Sequence, residues 1–117
     1  MNKDVEIING LVQELRRGSL VLMVLSQMAD QQYGYSLVQR LAGQGLDLEP
    51  GTLYPLLRRL EKQGLLDSQW DTEAGRPRRY YILSEAGQHV LAAMTEEWQN
   101  LAVLMDRLLH PGKQEEE

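Results

Sequence analysis

The sequence predicts a mainly helical fold that includes one small β-hairpin, and three patterns lead to this prediction. Apolar residues recur every three or four positions over most of the chain, which is the spacing of amphipathic helices. After Gly64 this spacing changes to the alternation of β-strands, over a stretch that is long enough for one hairpin. A long heptad series of apolar residues then follows towards the C-terminus. We therefore expect a two-stranded ribbon between the last two helices.

The composition excludes several other classes of protein. The chain has 117 residues, which is the size of one domain, and its 43% hydrophobic and 25% charged residues are ordinary for a globular protein. It has no cysteine, so disulfides and thiolate metal sites are excluded. No apolar run reaches the roughly 18 residues of a membrane helix, and the first residues lack a secretory pattern. We expect a soluble cytoplasmic protein.

The first third of the chain predicts two helices with a break between them. The first has an apolar stripe of Val5, Ile8, Val12 and Leu15. Arg17-Gly18 predicts the break because glycine is a poor residue inside a helix, and Ser19 suits the N-cap of the next helix. That second helix, from Leu20 to Met28, is almost entirely apolar and should be surrounded by the other elements.

Two more helices precede the hairpin. The third begins at Gly34 and stops at Gly43. The fourth runs from about Pro50 to Gln63 and is closed by Gly64, with proline suited to its first turn. A second proline, Pro55, predicts irregular or slightly kinked opening turns.

The hairpin is followed by the last helix. The first strand has Leu66, Ser68 and Trp70 on one face, and the return strand covers Arg79 to Leu83, with a loop from Asp71 to Arg78. Ser84 is the expected N-cap of a helix of about 25 residues that ends at His110 before Pro111-Gly112. Its heptad seam is of the coiled-coil type and consists of Leu91, Met94, Trp98, Leu101, Met105 and Leu108.

Helices followed directly by a two-stranded ribbon are typical of the winged helix-turn-helix fold, in which the helix before the ribbon enters the DNA major groove. We therefore predict a winged helix-turn-helix DNA-binding domain with an N-terminal helix at residues 1–83. Residues 84–110 should form a C-terminal dimerisation helix, and residues 111–117 a disordered acidic tail.

The distribution of charge agrees with a DNA-binding role. The net charge of −5, from 12 basic and 17 acidic residues, argues against a general nucleic-acid coat protein. Half of the basic residues, however, lie between positions 58 and 79: Arg58, Arg59, Lys62, Arg76, Arg78 and Arg79. This basic segment spans the fourth helix and the hairpin loop, the two parts of a winged helix that meet DNA.

The fourth helix has two different faces. At about 100° per residue, four leucines form one compact stripe, and the opposite face carries Tyr54, Pro55, Arg58, Arg59 and Lys62. The alternative is that these cations form an ordinary solvated face. Pro50-Gly51-Thr52 at the helix N-terminus offers an anion site, and an exposed Tyr54 is costly without a partner, so both favour DNA binding. For Arg79 the alternative is an ion pair across the ribbon with Asp67 or Asp71.

No motif of an enzyme, a cofactor site or a metal site is present in the sequence. His89 and His110 are far apart and have no acidic partner at ligand spacing. The chain also lacks a nucleophile elbow, a phosphate-binding loop and paired catalytic carboxylates. We therefore predict that the protein is not an enzyme and uses no cofactor or metal.

Several segments resemble the PadR family of transcriptional regulators: Tyr33–Tyr35, Gly51–Glu61, Gly64–Leu66 and Gly75–Gly87. The resemblance covers roughly Arg17 to Leu109, and its single long C-terminal helix resembles the small subfamily that includes multidrug-responsive repressors. It implies a homodimeric repressor on dyad-symmetric operators, with the first and last helices forming the dimer.

The residues and the resemblance together give two predicted sets. The DNA-facing set is Gly34, Tyr35, Ser36, Gly51, Thr52, Tyr54, Pro55, Arg58, Arg59, Lys62, Arg76, Arg78 and Arg79. The dimer-interface set is Ile8, Leu11, Leu15, Leu91, Met94, Trp98, Leu101, Met105 and Leu108.

The resemblance also implies a ligand site. One type of relative binds flat aromatic compounds between tryptophans of the dimer-forming helix, and Trp98 lies at the matching position. The alternative is that Trp98 only packs against the partner subunit. We therefore predict a dimeric DNA-binding repressor released by a small aromatic effector. The alternative function is a winged helix used only as a protein-interaction module.

Overall fold

The computed structural model describes residues 2–73 and 75–114. It contains helices α1 (Asn2–Leu25), α2 (Gly34–Gly43), α3 (Pro50–Lys62) and α4 (Glu85–Leu109), strands β1 (Gln32–Tyr33), β2 (Leu66–Asp71) and β3 (Arg78–Leu83), and a 3-10 turn (Pro111–Gln114). The predicted fold class, mainly helical with a small β-hairpin and a long C-terminal helix, is confirmed.

The first helix is continuous, so the predicted break at Arg17-Gly18 and the predicted N-cap at Ser19 are wrong. Glycine costs only about 1 kcal/mol relative to alanine inside a helix, which the helix-forming residues on both sides outweigh. The helix also gains from its C-terminal end, where Val24 and Leu25 are fully buried in the core. It ends at Leu25, and Met28 enters the core from the following turn.

The sheet has three strands, in the order β1-β3-β2, where the sequence predicted two. β1 has two residues and pairs antiparallel with β3, so that Tyr33 lies opposite Tyr80. Such a short strand is invisible to alternation patterns because its pairing partner is distant in the sequence. In the hairpin itself, Ser68 lies opposite Tyr81 and Trp70 opposite Arg79.

The core forms where α3 packs against the sheet and the other helices. The predicted leucine stripe of α3 is confirmed, because all four of its members are buried: Leu53, Leu56, Leu57 and Leu60. They meet residues from α1 to β3, namely Val24, Leu25, Met28, Leu37, Leu41, Leu66, Tyr81 and Leu83. Pro55 lies inside α3 without breaking it. The opposite face of α3 therefore points away from the core.

The start of α4 is locked to the turn between α3 and β2. Ser84 is the N-cap, as predicted, and its Oγ accepts from the Gly87 amide at 2.9 Å and donates to the Gly64 carbonyl at 2.6 Å. The Ser84 amide donates to the Leu65 carbonyl at 3.0 Å. A Cβ at Gly87 would lie 2.1 Å from that same Leu65 oxygen. We call Gly64, Leu65, Ser84 and Gly87 the α3–α4 joint.

Both long helices extend beyond the core. Every residue of α1 from position 2 to 18 is exposed, and so is every residue of α4 from position 95 to 109 except Asp106. We call these two segments the arms. Beyond α4, residues 111–114 form a 3-10 turn where a disordered tail was predicted, and Glu115–Glu117 lie outside the described residues. Within the described ranges, no helix has the length and apolar character needed to cross a membrane.

Candidate DNA-binding surface

The surface begins with the outward face of α3. Gly51, Thr52 and Pro55 are exposed in its first turns, and its three cations are exposed further along: Arg58, Arg59 and Lys62. None of the three forms an ion pair with a described residue. The face that was predicted to meet DNA is therefore cationic and unobstructed within residues 2–73 and 75–114.

The start of α2 packs against this face. Tyr54 is half-buried, so the expectation of an exposed Tyr54 is wrong. A Cβ added at Gly34 would lie 2.5 Å from Cε1 of Tyr54, which shows how closely the ring approaches the α2 backbone. Next to this contact Tyr35 is 63% exposed and Ser36 is exposed. The N-termini of α2 and α3 therefore form one continuous surface.

Arg79 binds α3, the helix that was predicted to enter the DNA groove. Its Nη2 lies 2.8 and 3.0 Å from the two carboxylate oxygens of Glu61, and its Nε donates to Ser68 Oγ at 3.1 Å. The Ser68 hydroxyl in turn donates to Glu61. The predicted alternative partners of Arg79, Asp67 and Asp71, are wrong, because Arg79 points from the sheet towards α3. We call the hairpin of β2, β3 and the loop between them the wing. This ion pair joins the wing to α3.

On the other face of the sheet, Tyr33 holds the base of the wing. Its hydroxyl donates to Asp71 Oδ2 at 2.5 Å, and the Glu73 amide donates to Asp71 Oδ1 at 3.0 Å. The Tyr33 hydrogen bond is the main reason that the pKa of Asp71 is lowered, and the bond to Asp71 raises the pKa of Tyr33. In the sequence, Tyr33 was noted only within the segment Tyr33–Tyr35, and its hydrogen bond to Asp71 was not predicted.

The three wing arginines therefore differ in what they contact. Arg79 is bound by Glu61, and the Arg78 guanidinium lies 4.1 Å from the centre of the Tyr33 ring. Arg76, beside Gly75 with its positive φ of 75°, is exposed. Among the described residues Arg76 has no ion pair and no ring contact. Of the three, Arg79 alone was given an alternative ion pair from the sequence, and Arg79 alone has one in the structure; Arg76 and Arg78 are exposed.

Tyr81 connects the two halves of the surface. It is buried in the sheet, and this burial raises its pKa. The positive charges of Arg79 and Arg58 act against that rise in the pKa. The Arg79 guanidinium carbon lies 5.6 Å from the centre of the Tyr81 ring. Cations of the wing and of the exposed face of α3 therefore both act on the pKa of Tyr81.

The predicted dimer residues separate into two groups. Leu91 and Met94 pack against the core of their own chain. The others are exposed on the arms: Ile8, Leu11, Leu15, Trp98, Leu101, Met105 and Leu108. Further exposed apolar residues of the arms lie outside the predicted interface set, namely Ile7, Val103, Leu104 and Leu109. Val5 and Val12, predicted only as members of a helical stripe, are exposed as well.

Trp98 lies beside a small cavity between α1 and α4. The cavity has a volume of about 270 Å³ and is lined by Ser19, Leu22, Met23, Ser26 and Trp98. Elsewhere, no cluster of three or more His, Asp or Glu residues within the described chain could hold a metal ion.

Comparisons with known proteins agree with this arrangement. The model of the Transcriptional regulator PadR-like family matches residues 21–93. Transcriptional regulator Rv3488 of Mycobacterium tuberculosis is 39% identical over 99 residues, which is 84% of this chain and 90% of that protein.

Solved structures are similar over the same range. A PadR family transcriptional regulator from Eggerthella lenta is 44% identical with a TM-score of 0.87, over 94% of this chain and 98% of that one. A PadR-like transcriptional regulator from Bacillus cereus is 26% identical with a TM-score of 0.74, over 83% and 97% of the two chains. The family and these relatives are transcriptional regulators and not enzymes. The chain belongs to the PadR-like family of transcriptional regulators.

Proposed function

We propose that this protein is a homodimeric, sequence-specific DNA-binding repressor that places α3 in the major groove of a dyad-symmetric operator. The observation that carries the proposal is the division of α3 into a buried leucine face and an exposed face with three cations. Recognition helices of this fold contact base edges with their N-terminal residues. In α3 those positions are Gly51, Thr52, Tyr54 and Pro55, next to the exposed start of α2.

The surface supports a division of roles among the cations. Arg58 follows Tyr54 by one helical turn and is suited to the groove. Arg76 lies in the loop of the wing and is suited to a phosphate, since phosphate contacts position a protein without reading sequence. Arg78 is exposed beside the Tyr33 ring and is suited to a second phosphate. Arg79 acts mainly through its ion pair with Glu61.

This division of roles is testable with DNA fragments that the protein selects from genomic DNA. Arg76→Ala should weaken binding to selected and random DNA alike, and should reduce the slope of log affinity against log salt by about one. Arg58→Ala should cost about 1–3 kcal/mol on the selected sequence and less on random DNA. Lys3→Ala, on the α1 arm, is the control and should leave both affinities unchanged.

Two outcomes would contradict the proposal. If the wild-type protein is not retained on heparin at low salt and selects no fragments, it does not act by binding DNA. If Arg58→Ala and Arg76→Ala lose affinity equally on both kinds of DNA, the division of roles is wrong.

The arms support the homodimer. Their exposed apolar residues include Leu11 and Leu15 on α1, 59% and 70% exposed, and Leu108 on α4, 67% exposed. Exposed apolar residues in this number, on two helices, indicate a protein interface. A second copy of the same chain offers a matching pair of arms about a two-fold axis.

The alternative, a winged helix that serves only as a protein-interaction module, requires the apolar surface to lie on the outward face of α3. That face is cationic, and the apolar surface lies on the arms. The observations therefore favour DNA on α3 and a second subunit on the arms.

We also propose that a flat aromatic effector binds at Trp98 and releases the operator. Trp98 is 48% exposed beside the cavity between α1 and α4, and two such rings about a two-fold axis can stack on both faces of a planar guest. Exposed Glu96 and Glu97 favour a cationic guest. Release requires that the compound binds the DNA-free arrangement more tightly, by about 1.4 kcal/mol for a tenfold effect.

The effector is tested by titrating planar dyes and drugs while tryptophan fluorescence is recorded. In Trp70→Phe the remaining emission comes from Trp98, and it should be quenched. In Trp98→Phe the quenching should be absent. The reverse result, with quenching only in Trp98→Phe, places the site away from the arms.

A further inference from the structure

An exposed tryptophan lies in the wing, where the proposed DNA contacts leave it without a role. Trp70 is in strand β2 and is 61% exposed, whereas Leu66 on the same strand is 1% exposed. It is not part of the core cluster. A large aromatic ring in water needs an explanation because its burial against a partner would be favourable.

The pleat of the sheet fixes the direction of Trp70. Ser68 and Trp70 are two residues apart, so they lie on the same face of β2. Ser68 bonds to Glu61 of α3, so this face is the one that carries the recognition helix. Trp70 lies about 7 Å further along the strand towards the wing loop, at the strand rise of about 3.4 Å per residue. It therefore lies on the α3 side of the sheet, between Ser68 and the wing loop.

Arg79 holds the indole in this position. It is the residue opposite Trp70 in the register, and its guanidinium carbon lies 5.7 Å from the centre of the Trp70 ring. The same guanidinium is bound to Glu61 at 2.8 Å. A cation fixed by a carboxylate and placed over an indole restricts the movement of the ring. The chain Glu61–Arg79–Trp70 thus connects the C-terminal turn of α3 with the exposed ring.

The surroundings of Trp70 indicate the chemistry of its partner. Its neighbours Arg79 and Ser68 on the sheet and Glu61 on α3 are polar. The apolar residues of the same face, Leu66 and Tyr81, are buried, so Trp70 is the exposed apolar ring on this part of β2 and β3. A hydrophobic protein partner would need a wider apolar patch. A DNA backbone alternates apolar deoxyribose with anionic phosphate, and an indole matches it with an apolar ring and one N–H donor.

We propose that Trp70 contacts the sugar–phosphate backbone beside the groove that α3 enters, with its ring on deoxyribose and its Nε1–H donating to a phosphate. Glu61 and Arg79 are positioning residues that hold the ring there. The proposal rests on the proposed function, since it requires that α3 and the wing meet duplex DNA together.

The contact is tested by fluorescence in the Trp98→Phe protein, where Trp70 is the remaining tryptophan. Adding a selected genomic fragment should change the Trp70 emission and saturate at the stoichiometry of binding. Trp70→Ala should lower the affinity about tenfold, the size of effect that a tryptophan anchor in an interface has. Trp70→Phe, which keeps a ring and loses the N–H, should lower it less.

The salt dependence separates this contact from a cationic one. Trp70 carries no charge and releases no counterion, so the slope of log affinity against log salt should be the same in Trp70→Ala and in the wild type. Arg76→Ala is the matched wing variant, and its slope should fall by about one. Circular dichroism of each variant confirms that the fold is retained.

The positioning role of Glu61 is tested by whether Glu61→Gln weakens or strengthens DNA binding. Removing an acid beside DNA ordinarily strengthens binding, because one source of repulsion is lost. If Glu61 positions Arg79 and Trp70, Glu61→Gln should weaken binding and shift the Trp70 emission of the free protein. Stronger binding with unchanged emission would overturn the positioning role.

Two results keep this proposal separate from the proposed function. If the wild type and Trp98→Phe both bind the selected DNA, the emission of Trp98→Phe stays constant and Trp70→Ala binds as tightly as the wild type, the Trp70 contact is wrong and the repressor function stands. If the wild type binds no duplex, both fail.

Discussion

The body of the molecule and its arms differ in how far their apolar side chains are buried. In the body, from the C-terminal end of α1 to Met94, the apolar side chains of the core bury one another, and Arg79 is paired with Glu61. In the arms, apolar side chains such as Leu15 and Leu108 lie in water at 70% and 67% exposure. The core of the body is covered by residues of its own chain, whereas most apolar residues of the arms are exposed.

This difference indicates which contacts keep each part of the chain ordered. Isolated helices of the length of the arms are marginal in water, so an arm needs contacts to stay ordered. The body supplies few of them, because the arms lie outside the core. The exposed apolar residues of the arms fit the proposed dimer, in which a second chain would cover them.

The largest effect should come from placing charge on the α4 arm. Leu101→Asp with Met105→Asp puts two carboxylates into the proposed interface, where burial of unpaired charge is very unfavourable. Light scattering should show monomers or unfolded protein. The control with the same added charge is Gln99→Asp with Asn100→Asp, at exposed polar positions, which should stay dimeric. A stable dimer in the first variant would show that the α4 arm is not the interface.

The next largest effect should come from a single methyl group in the body. Gly87→Ala would place its Cβ 2.1 Å from the Leu65 carbonyl oxygen, so backbone must move in the α3–α4 joint. We expect a loss of about 2 kcal/mol in the free energy of unfolding, the usual cost of overpacking. Urea unfolding measures it through the midpoint at unchanged slope. An unchanged midpoint would mean that the joint yields easily.

The same substitution in an arm should have the opposite sign. A Cβ at Gly18 meets nothing within 4 Å, and Gly18 lies inside α1. Gly18→Ala should therefore stabilise the protein by up to about 1 kcal/mol through helix propensity. It is measured in the same urea experiment as Gly87→Ala. Destabilisation at Gly18 would reveal a close contact there and would sharpen the location of the subunit interface.

The smallest effect concerns the hydrogen bond at the base of the wing. The bond from Tyr33 lowers the pKa of Asp71 below its ordinary 3.8, so it stabilises the wing above that pH and is lost as the pH falls through the lowered pKa. Tyr33→Phe should move the Asp71 pKa upwards, as followed by NMR at the Glu73 amide, which bonds to the same carboxylate.

The matched control for that titration is Tyr80→Phe. The Tyr80 hydroxyl bonds to Gln69 and not to Asp71, so its removal should leave the Asp71 titration in place. The raised pKa of Tyr33 sets the other limit, because the bond is also lost when the phenol ionises above its ordinary 10.0. Equal shifts of the Asp71 pKa in both variants would show that Tyr33 is not the specific donor.

The sequence was informative for the α3 stripe and the α4 cap, whose determining interactions are local, although the local glycine signal at Gly18 gave a wrong break in α1. The leucine stripe of α3 and the Ser84 cap follow from spacing and from one residue type, and both are confirmed. The partner of Arg79 was not accessible, because Glu61 is 18 positions away on another element. The burial of Tyr54 likewise depends on the approach of Gly34, which only the packing of α2 on α3 determines.

The α3–α4 joint connects the end of α3 to the start of α4, so we expect the two helices to move together. At 1.5 Å per residue, the 25 residues of α4 span about 37 Å, and a tilt of about 10° moves one end by about 6 Å relative to the other. That distance is about half the width of a major groove. In the proposed dimer, the angle between the two α4 helices therefore sets the spacing of the two α3 helices, and a compound that changes this angle slightly is enough to put them out of register with their half-sites.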